Sequence, residues 1–396
     1  MNYRMQLVAS FAEVDPEAWD TLVAASPRPT PFMQHAFLRL AQETESASPE
    51  TGWTARPLLL FNDANELIAA TALYAKAHSY GEYVFDWAWA RAYEQAGLCY
   101  FPKWLVASPF SPVPGSRLLG ASNDARLALA VALSRLTNES GLSSCHILFA
   151  HESDQLVLEE TGWLIRKGVQ FHWFNKNYAN FESFLNQLSQ PKRKKIRAER
   201  RKVTEAGLHC RVITGEAITA QQLAFFYRCY ANTYYEHGNP PYFSESFFTG
   251  LLQAMPDTLM LSLAEDAQGK AIASALLLKH WDERANEVVL YGRYWGAIQY
   301  VPFLHFELAY YTPIEWAIDQ GIARFEGGAQ GEHKMARGFE PVPMGSAHWI
   351  TEERFRDAVT RFLEREGEGM TAYFSELNER AAFKPQDKNP LQEKDP

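Results

Sequence analysis

Residues 259–326 read LMLSLAEDAQGKAIASALLLKHWDERANEVVLYGRYWGAIQYVPFLHFELAYYTPIEWAIDQGIARFE, and this run decides the fold. It predicts three extended segments, Leu259 to Glu265, Ala271 to Trp281 and Glu287 to Tyr294, the first two joined by the turn Asp266-Ala267-Gln268-Gly269. After Gly296 the apolar spacing predicts a helix from about Pro302 to Asp319, stopped at Gly321 and followed by a short strand, Ile322 to Glu326. Hairpin, strand, loop, helix, strand is the order of an α/β lobe.

Working outward, the same order occurs earlier. Thr54 to Phe61 and Leu67 to Lys76 read as strands around the turn Asn62-Asp63-Ala64-Asn65. YGEYVFDWAWARAYEQAG reads as strand then helix, and FPKWLVASPFSPVPGSRLLG (residues 101–120) as a long Pro-rich loop. A helix from about Asn123 to Glu139 ends at Gly141, and Cys145 to Ala150 is a buried-type strand. An extended run from Gly162 to Asn175 closes a first unit, residues 1–176. The second unit, 177–380, carries a basic helix at 191–206, an extended run from Ser346 to Thr351 and a long helix from about Glu352 to Glu379. The polar segment 381–396 is expected to be disordered. Repetition of one order in both halves predicts a duplicated α/β lobe.

Composition sets the class. Of 396 residues, 47% are hydrophobic and 21% charged, which is globular rather than disordered. Cys99, Cys145, Cys210 and Cys229 form no Cys-x-x-Cys pair, which fits a reducing compartment and argues against a structural zinc or a disulfide framework. No run has the length of a signal peptide or a membrane span, so a cytoplasmic protein is expected.

PKRKKIRAERRKVTEAG, Pro191 to Gly207, breaks the acidic character of the rest. It holds eight Lys or Arg against two Glu, a local charge of +6 in a chain of net charge −9. A stabilising solvated face would mix signs to form i,i+4 pairs. Lys192, Arg193, Lys195 and Arg197 are therefore candidate contacts for an anionic ligand group, most simply a phosphate, with a solvated face as the competing reading.

Four longer words carry a resemblance: HSYGEYVFDWAWARAYEQAGLCYFPKW, SPFSPVPGSRLL, FHWFNKNYANFESFLNQLSQPKRKKIRAERRKV and RFEGGAQGEHKMARGFEPVPMGSAHWI. With them the chain resembles the bacterial Fem-like family of GNAT-type proteins, from about Pro31 to Ile350. The resemblance implies two tandem GNAT-like N-acyltransferase lobes, as in the Fem ligases, which move an amino acid from aminoacyl-tRNA to an amine of a cell-wall precursor. Acetyl-CoA and aminoacyl-tRNA are both candidate donors, and the acceptor would be a small or nucleotide-linked peptide or sugar. The projecting coiled-coil arm of some Fem ligases has no counterpart in the sequence, so the resemblance does not by itself carry over dependence on tRNA, and tRNA stays a candidate partner. Lys334 falls where those ligases place an important lysine, which implies phosphate binding or oxyanion stabilisation.

Acyl transfer to an amine needs a donor held by its charges, hydrogen-bond donors for the oxyanion and a base. Arg293-Tyr294-Trp295-Gly296-Ala297-Ile298 is a near match to the superfamily's phosphate turn, giving Arg293 and Gly296 as donor-binding candidates, although Ile298 stands where Gly or Ala belongs. In Phe325 to Phe339, FEGGAQGEHKMARGF, glycines are followed by dense ionisable groups. Glu332 is the candidate base with His333 as alternative, and Arg337 a candidate for bidentate anion binding. Lys76, His78, Glu82 and Asp86 form a candidate acceptor wall in the first half. No metal site is expected. An acyltransferase is the first reading; a non-catalytic protein recognising a peptidoglycan precursor or anionic ligand is the second, and RNA binding through the basic helix the third.

Overall fold

A computed structural model describes residues 3–328, 331–380 and 382–383. The first half supplies strands β1 (Arg4–Leu7), β2 (Trp53–Ala55), β3 (Leu58–Phe61), β4 (Leu67–Thr71), β5 (Leu73–Lys76), β6 (Lys103–Val106), β7 (Leu119–Gly120), β8 (Ser144–Ala150) and β9 (Leu164–Phe174). The second supplies β10 (His209–Thr214), β11 (Leu259–Glu265), β12 (Ala271–Asp282), β13 (Glu287–Ala297), β14 (Arg324–Glu326) and β15 (Glu340–Ile350). An 11-stranded sheet runs in the order β10-β11-β12-β13-β14-β9-β15-β8-β6-β5-β2, and β1-β3-β4-β7 form a 4-stranded sheet.

The centre of the large sheet is an exchange. β9 closes the first half yet pairs with β14 of the second, and β15 closes the second half yet pairs with β8 of the first. The two exchanged strands pair with each other from Glu340↔His172 to His348↔Leu164. Helices from both halves pack a shared core in which Phe37, Phe243 and Phe247 interlock edge-on or stacked.

Several elements differ from the sequence expectation, each for a local reason. Thr54 to Phe61 and Leu67 to Lys76 each split in two, because Pro57 withholds an N–H and the hairpin crosses from one sheet to the other. The stretch read as a Pro-rich loop contains β6, four buried residues too short to show a period. Residues before Trp87 are not a strand, and the helix Glu152–Glu160 was missed. The final strand begins at Glu340, not Ser346, despite Pro341 and Pro343. Its pairing to β8 starts only at Gly345, so those prolines sit where the strand has an edge on that side. The helix expected from Pro302 begins at Leu304 and carries a π-helical turn over Glu307–Tyr311. Of the 381–396 tail, Ala382 and Phe383 are tied to Ser189 and Leu188; residues from 384 on lie outside those described.

Candidate functional site

Parallel strands β13 and β14 pair over three steps only, Val289↔Arg324 to Tyr291↔Glu326. Beyond them β14 ends in Gly327 and Gly328, while β13 continues against β12 alone to Ala297. Among the described residues the main chain of β13 on that edge therefore has no strand partner, and it borders a cavity of about 130 Å³ lined by Gly292, Arg293, Trp295, Tyr310, Phe325 and Gly327. A bulge pairs Leu276 with Tyr294 and Leu277 with Gly292, leaving Arg293 as the extra residue. Gly327 is needed for closeness: a Cβ there would lie 3.0 Å from Cδ of Lys334. Gly328 adopts φ +76°, which favours glycine.

Two cations meet at this opening. Lys334 is buried in the 3-10 turn Glu332–Arg337, and its Nζ donates to the Gly328 carbonyl at 3.1 Å. Burial, and then the charge of Arg293, push its pKa down to about 8. Arg293 donates from Nη2 to the Phe110 carbonyl at 2.7 Å and to Tyr294 Oη at 3.3 Å. Its Nε is shut off from solvent and has no hydrogen-bond partner among the described residues. Among the described residues no carboxylate pairs with Arg293.

A third ionisable group lies on the neighbouring strand and lines a separate cavity with Glu326. His172, on β9 opposite Glu326, is held neutral chiefly by burial; the charge of Glu326 opposes that shift, and those of Arg28 and Lys334 reinforce it. Sequence reading missed His172. It lies in the word FHWFNK, but alternation with Phe171 and Trp173 gives a half-buried strand and no reason to single out one polar position.

The remaining expected residues are distributed as follows. Arg337 is buried and pairs with Glu199 of the basic helix Gln190–Glu205 at 3.1 Å, with its guanidinium 3.4 Å from the Phe306 ring centroid. That pair joins the basic helix to the turn carrying Lys334. Elsewhere on the helix, Arg197 pairs with Glu182, Arg200 with Glu307 and Glu315, and Lys195 reaches Glu199 at 3.9 Å. Arg193 donates to the Leu188 carbonyl at 3.3 Å, and no described acid pairs with Lys192. Glu332 turns outward to Tyr373 Oη at 2.6 Å, and His333 is 3.2 Å from Tyr310 Oη. None of these basic-helix residues lines the opening.

Gly296 serves packing. The segment Arg293 to Ala297 is strand, not a turn at a helix start, and a Cβ on Gly296 would fall 1.9 Å from the Cys229 carbonyl oxygen of the helix Ala220–Glu236. The two nearest atoms, the Cys229 carbonyl oxygen and carbon, are main chain, so Gly296→Ala is expected to separate that helix from β13 and lower stability by about 3 kcal/mol or more. Urea unfolding would measure it; a loss below about 1 kcal/mol would contradict the close approach.

In the first half, Lys76, Glu82 and Asp86 come together and His78 lies at the rim. Lys103 of β6, fully buried, donates to Glu82 at 2.8 Å, to Ser79 at 2.9 Å and to Asp86. Lys76 lies 4.0 Å from the Trp53 ring centroid, with its pKa pushed down to about 7 by burial, opposed by Glu82 and helped by Lys103. Asp86 accepts from Tyr100 Oη at 2.6 Å, and Tyr100 reaches His146, which contacts His348 through their Nδ1 atoms at 2.7 Å. β6 and β8 also pair in parallel over three steps, but residues 107–115 fold back and Gly115 takes the place beside Ala150. The first opening is thus filled by its own Pro-rich loop, and that loop's Phe110 carbonyl holds Arg293 of the second.

Between the halves runs a groove of about 490 Å³, bordered by Tyr83 and Phe85 of the first half, Arg166 and Gln170 of β9, and Glu332 and Tyr373 of the second. Among the described residues no cluster of His, Cys, Asp or Glu is arranged to hold a metal ion, and no helix is long and apolar enough to cross a membrane.

The fold is similar to that of L-PGS from Bacillus licheniformis, with a TM-score of 0.53 at 11% identity, covering 88% of this chain and 97% of that one. It is also similar to the C-terminal domain of a protein from Agrobacterium fabrum described as a lysylphosphatidylglycerol synthetase, with a TM-score of 0.50 at 10% identity over 87% and 93% of the two chains. No curated protein matches the sequence. The architecture is that of two tandem GNAT-like lobes, each with a parallel strand pair that splays apart. Residues 10–385 match the FemAB-like family model, described as peptidoglycan biosynthesis/recognition, and the chain belongs to that family.

Proposed function

We propose that the chain is an N-acyltransferase whose active site is the β13–β14 splay of the second lobe, acting on an amine of a cell-wall-related peptide or amino-sugar acceptor. One observation carries the reading: the partly buried guanidinium of Arg293, without a carboxylate partner among the described residues, meets the buried ammonium of Lys334 at a glycine-shaped opening. A charge held out of water needs an opposite charge, and here an anionic donor group or the oxyanion of transfer supplies it. Acetyl-CoA and aminoacyl-tRNA both bring phosphates, and both stay candidates. The groove between Tyr83 and Glu332 gives the acceptor its approach, and transfer is direct, with no covalent enzyme intermediate.

A non-catalytic binding protein is the second reading. It is favoured by the strand geometry of Arg293 to Ala297, which leaves no phosphate turn there.

Thermal shift with CoA, acetyl-CoA, aminoacyl-tRNA and inorganic pyrophosphate tests the site. A true ligand at a hundred times its Kd adds about 2.7 kcal/mol of apparent stability. Lys334→Ala and Arg293→Met should each abolish that gain while remaining folded. Undiminished ligand stabilisation in both variants would remove Arg293 and Lys334 from the site.

A further inference from the structure

β9 outruns one of its two neighbours. It spans 11 residues, yet β14 pairs only with Phe174, Trp173 and His172. In an antiparallel strand successive residues turn both main-chain groups first to one neighbour and then to the other. The Gly327 N–H donates to the Phe171 carbonyl at 3.3 Å, so Phe171, Val169, Lys167 and Ile165 face the β14 side. Pro341 and Pro343 of β15, with no N–H to give, stand opposite Phe171 and Val169, as that alternation requires. Beyond Gly327 the β14 chain turns away. Among the described residues the N–H and C=O groups of Ile165, Lys167 and Val169 have no hydrogen-bond partner.

This edge looks into the groove of about 490 Å³ between the halves. Residues 166–171 all border it; side chains alternate between the two faces, so a cavity that meets every one of them meets their main chain. Gly331 and Glu332, which follow β14, border the same groove and put it on the unpaired side. Arg166 ties down both walls. It donates from Nη1 to the Phe85 carbonyl at 2.7 Å, and from Nε and Nη2 to Glu366 of the helix Glu353–Glu379 at 2.8 and 2.7 Å. The edge is thus recessed between the loop bearing Tyr83 and Phe85 and that helix, where one extended chain fits and the sheet of a second copy does not. Elsewhere the protein blunts such an edge: the stretch of β15 that β8 does not reach carries Pro341 and Pro343, whereas residues 165–169 hold no proline.

We propose that an extended peptide adds to β9 as a further strand in this groove, exchanging main-chain hydrogen bonds with Ile165, Lys167 and Val169. The unpaired stretch spans about 14 Å, which accommodates about five residues. Recognition of this kind reads the N–H and C=O of alternate peptide residues and tolerates varied side chains, which here meet Tyr83, Phe85, Met344 and Met370. It requires neither Arg293 nor Lys334, and it holds for a transferase and for a binding protein alike.

The test titrates acetyl-pentaalanine amide into the 15N-labelled full chain and follows the main-chain amides of Lys167 and Val169. Binding should move both resonances and slow their hydrogen exchange by about tenfold or more. Two further pentapeptides, N-methylated at residues 2 and 4 or at residues 1, 3 and 5, separate a ladder from side-chain recognition. One pattern should cost about tenfold or more in affinity and the other should not, because a strand offers only alternate N–H groups to one neighbour. Val169→Pro removes an N–H that has no partner in the fold, so the protein should stay folded and bind the unmethylated peptide about tenfold more weakly. Should that variant fail to fold, the methylated pair still decides. Unmoved resonances, equal affinity for the two methylated peptides, or undiminished binding by folded Val169→Pro overturns the proposal. So does a dimer in sedimentation velocity that forms through the same two amides.

Discussion

Lys103→Met is expected to destabilise the protein by about 3–5 kcal/mol, enough to unfold much of a typical domain's margin. Lys103 is fully buried on β6 and donates to both Glu82 and Asp86, which are themselves 3% exposed. Burial raises the pKa of Glu82. For Asp86 burial acts in the same direction, but Lys103 and then His146 outweigh it and hold that carboxyl well below the usual range. Methionine matches the lysine stem in volume, so packing is nearly conserved and the cost reports the uncompensated carboxylates. Guanidinium unfolding measures it. Adding Glu82→Gln and Asp86→Asn to the same chain should recover most of the loss, because the charges that needed Lys103 are then gone. A single-variant loss below about 1 kcal/mol would mean that Lys103 does not neutralise this pair.

Acid should destabilise the protein long before its carboxylates titrate. His146 and His348 are buried and share an Nδ1–Nδ1 hydrogen bond of 2.7 Å, which exists only if one ring donates and the other accepts. Burial lowers both pKa values, that of His146 well below the ordinary 6.5 and that of His348 to about 3. Below pH 6.5 the unfolded chain therefore binds protons that the folded chain refuses, and stability falls as pH falls. Above that value the contribution is complete; it is lost through the window down toward the folded pKa values. Each histidine accounts for about 1.4 kcal/mol per pH unit, so the pair gives a slope near 2.7. Urea midpoints at pH 7.5 and 5 measure it, with His348→Asn expected to make the slope shallower by one histidine's share, about 1.4 kcal/mol per pH unit. Identical midpoints at the two pH values would show that these rings are not held neutral.

Much of the fold was legible because it rests on local signals. Asp266 to Gly269 and Asn62 to Asn65 turn where their side chains and glycine dictate, and Gly141 ends its helix in the left-handed conformation. β6 was hidden because four residues between prolines carry no period, and with it went the recognition that the first lobe has its own strand splay. For the site, Lys334 and Arg293 came from motif and resemblance, and the structure brings them together. Their neighbours could not be read. His172 and Glu326 meet across two antiparallel strands of different halves, and Lys103 finds its acids 21 and 17 residues upstream. Such pairings arise from strand register between distant segments, which no window of sequence reports.

β9 and β15 also set how the molecule can move. Because each finishes the ladder of the other half, the halves share one continuous hydrogen-bonded fabric and cannot swing apart about a hinge as two-lobed enzymes often do. Traffic into the groove must be gated by side chains and short loops such as the one bearing Tyr83 and Phe85 at its mouth. The crossed strands make the two like-built lobes mutually dependent: neither completes its part of the ladder without a strand from the other, so neither could be excised as a cassette.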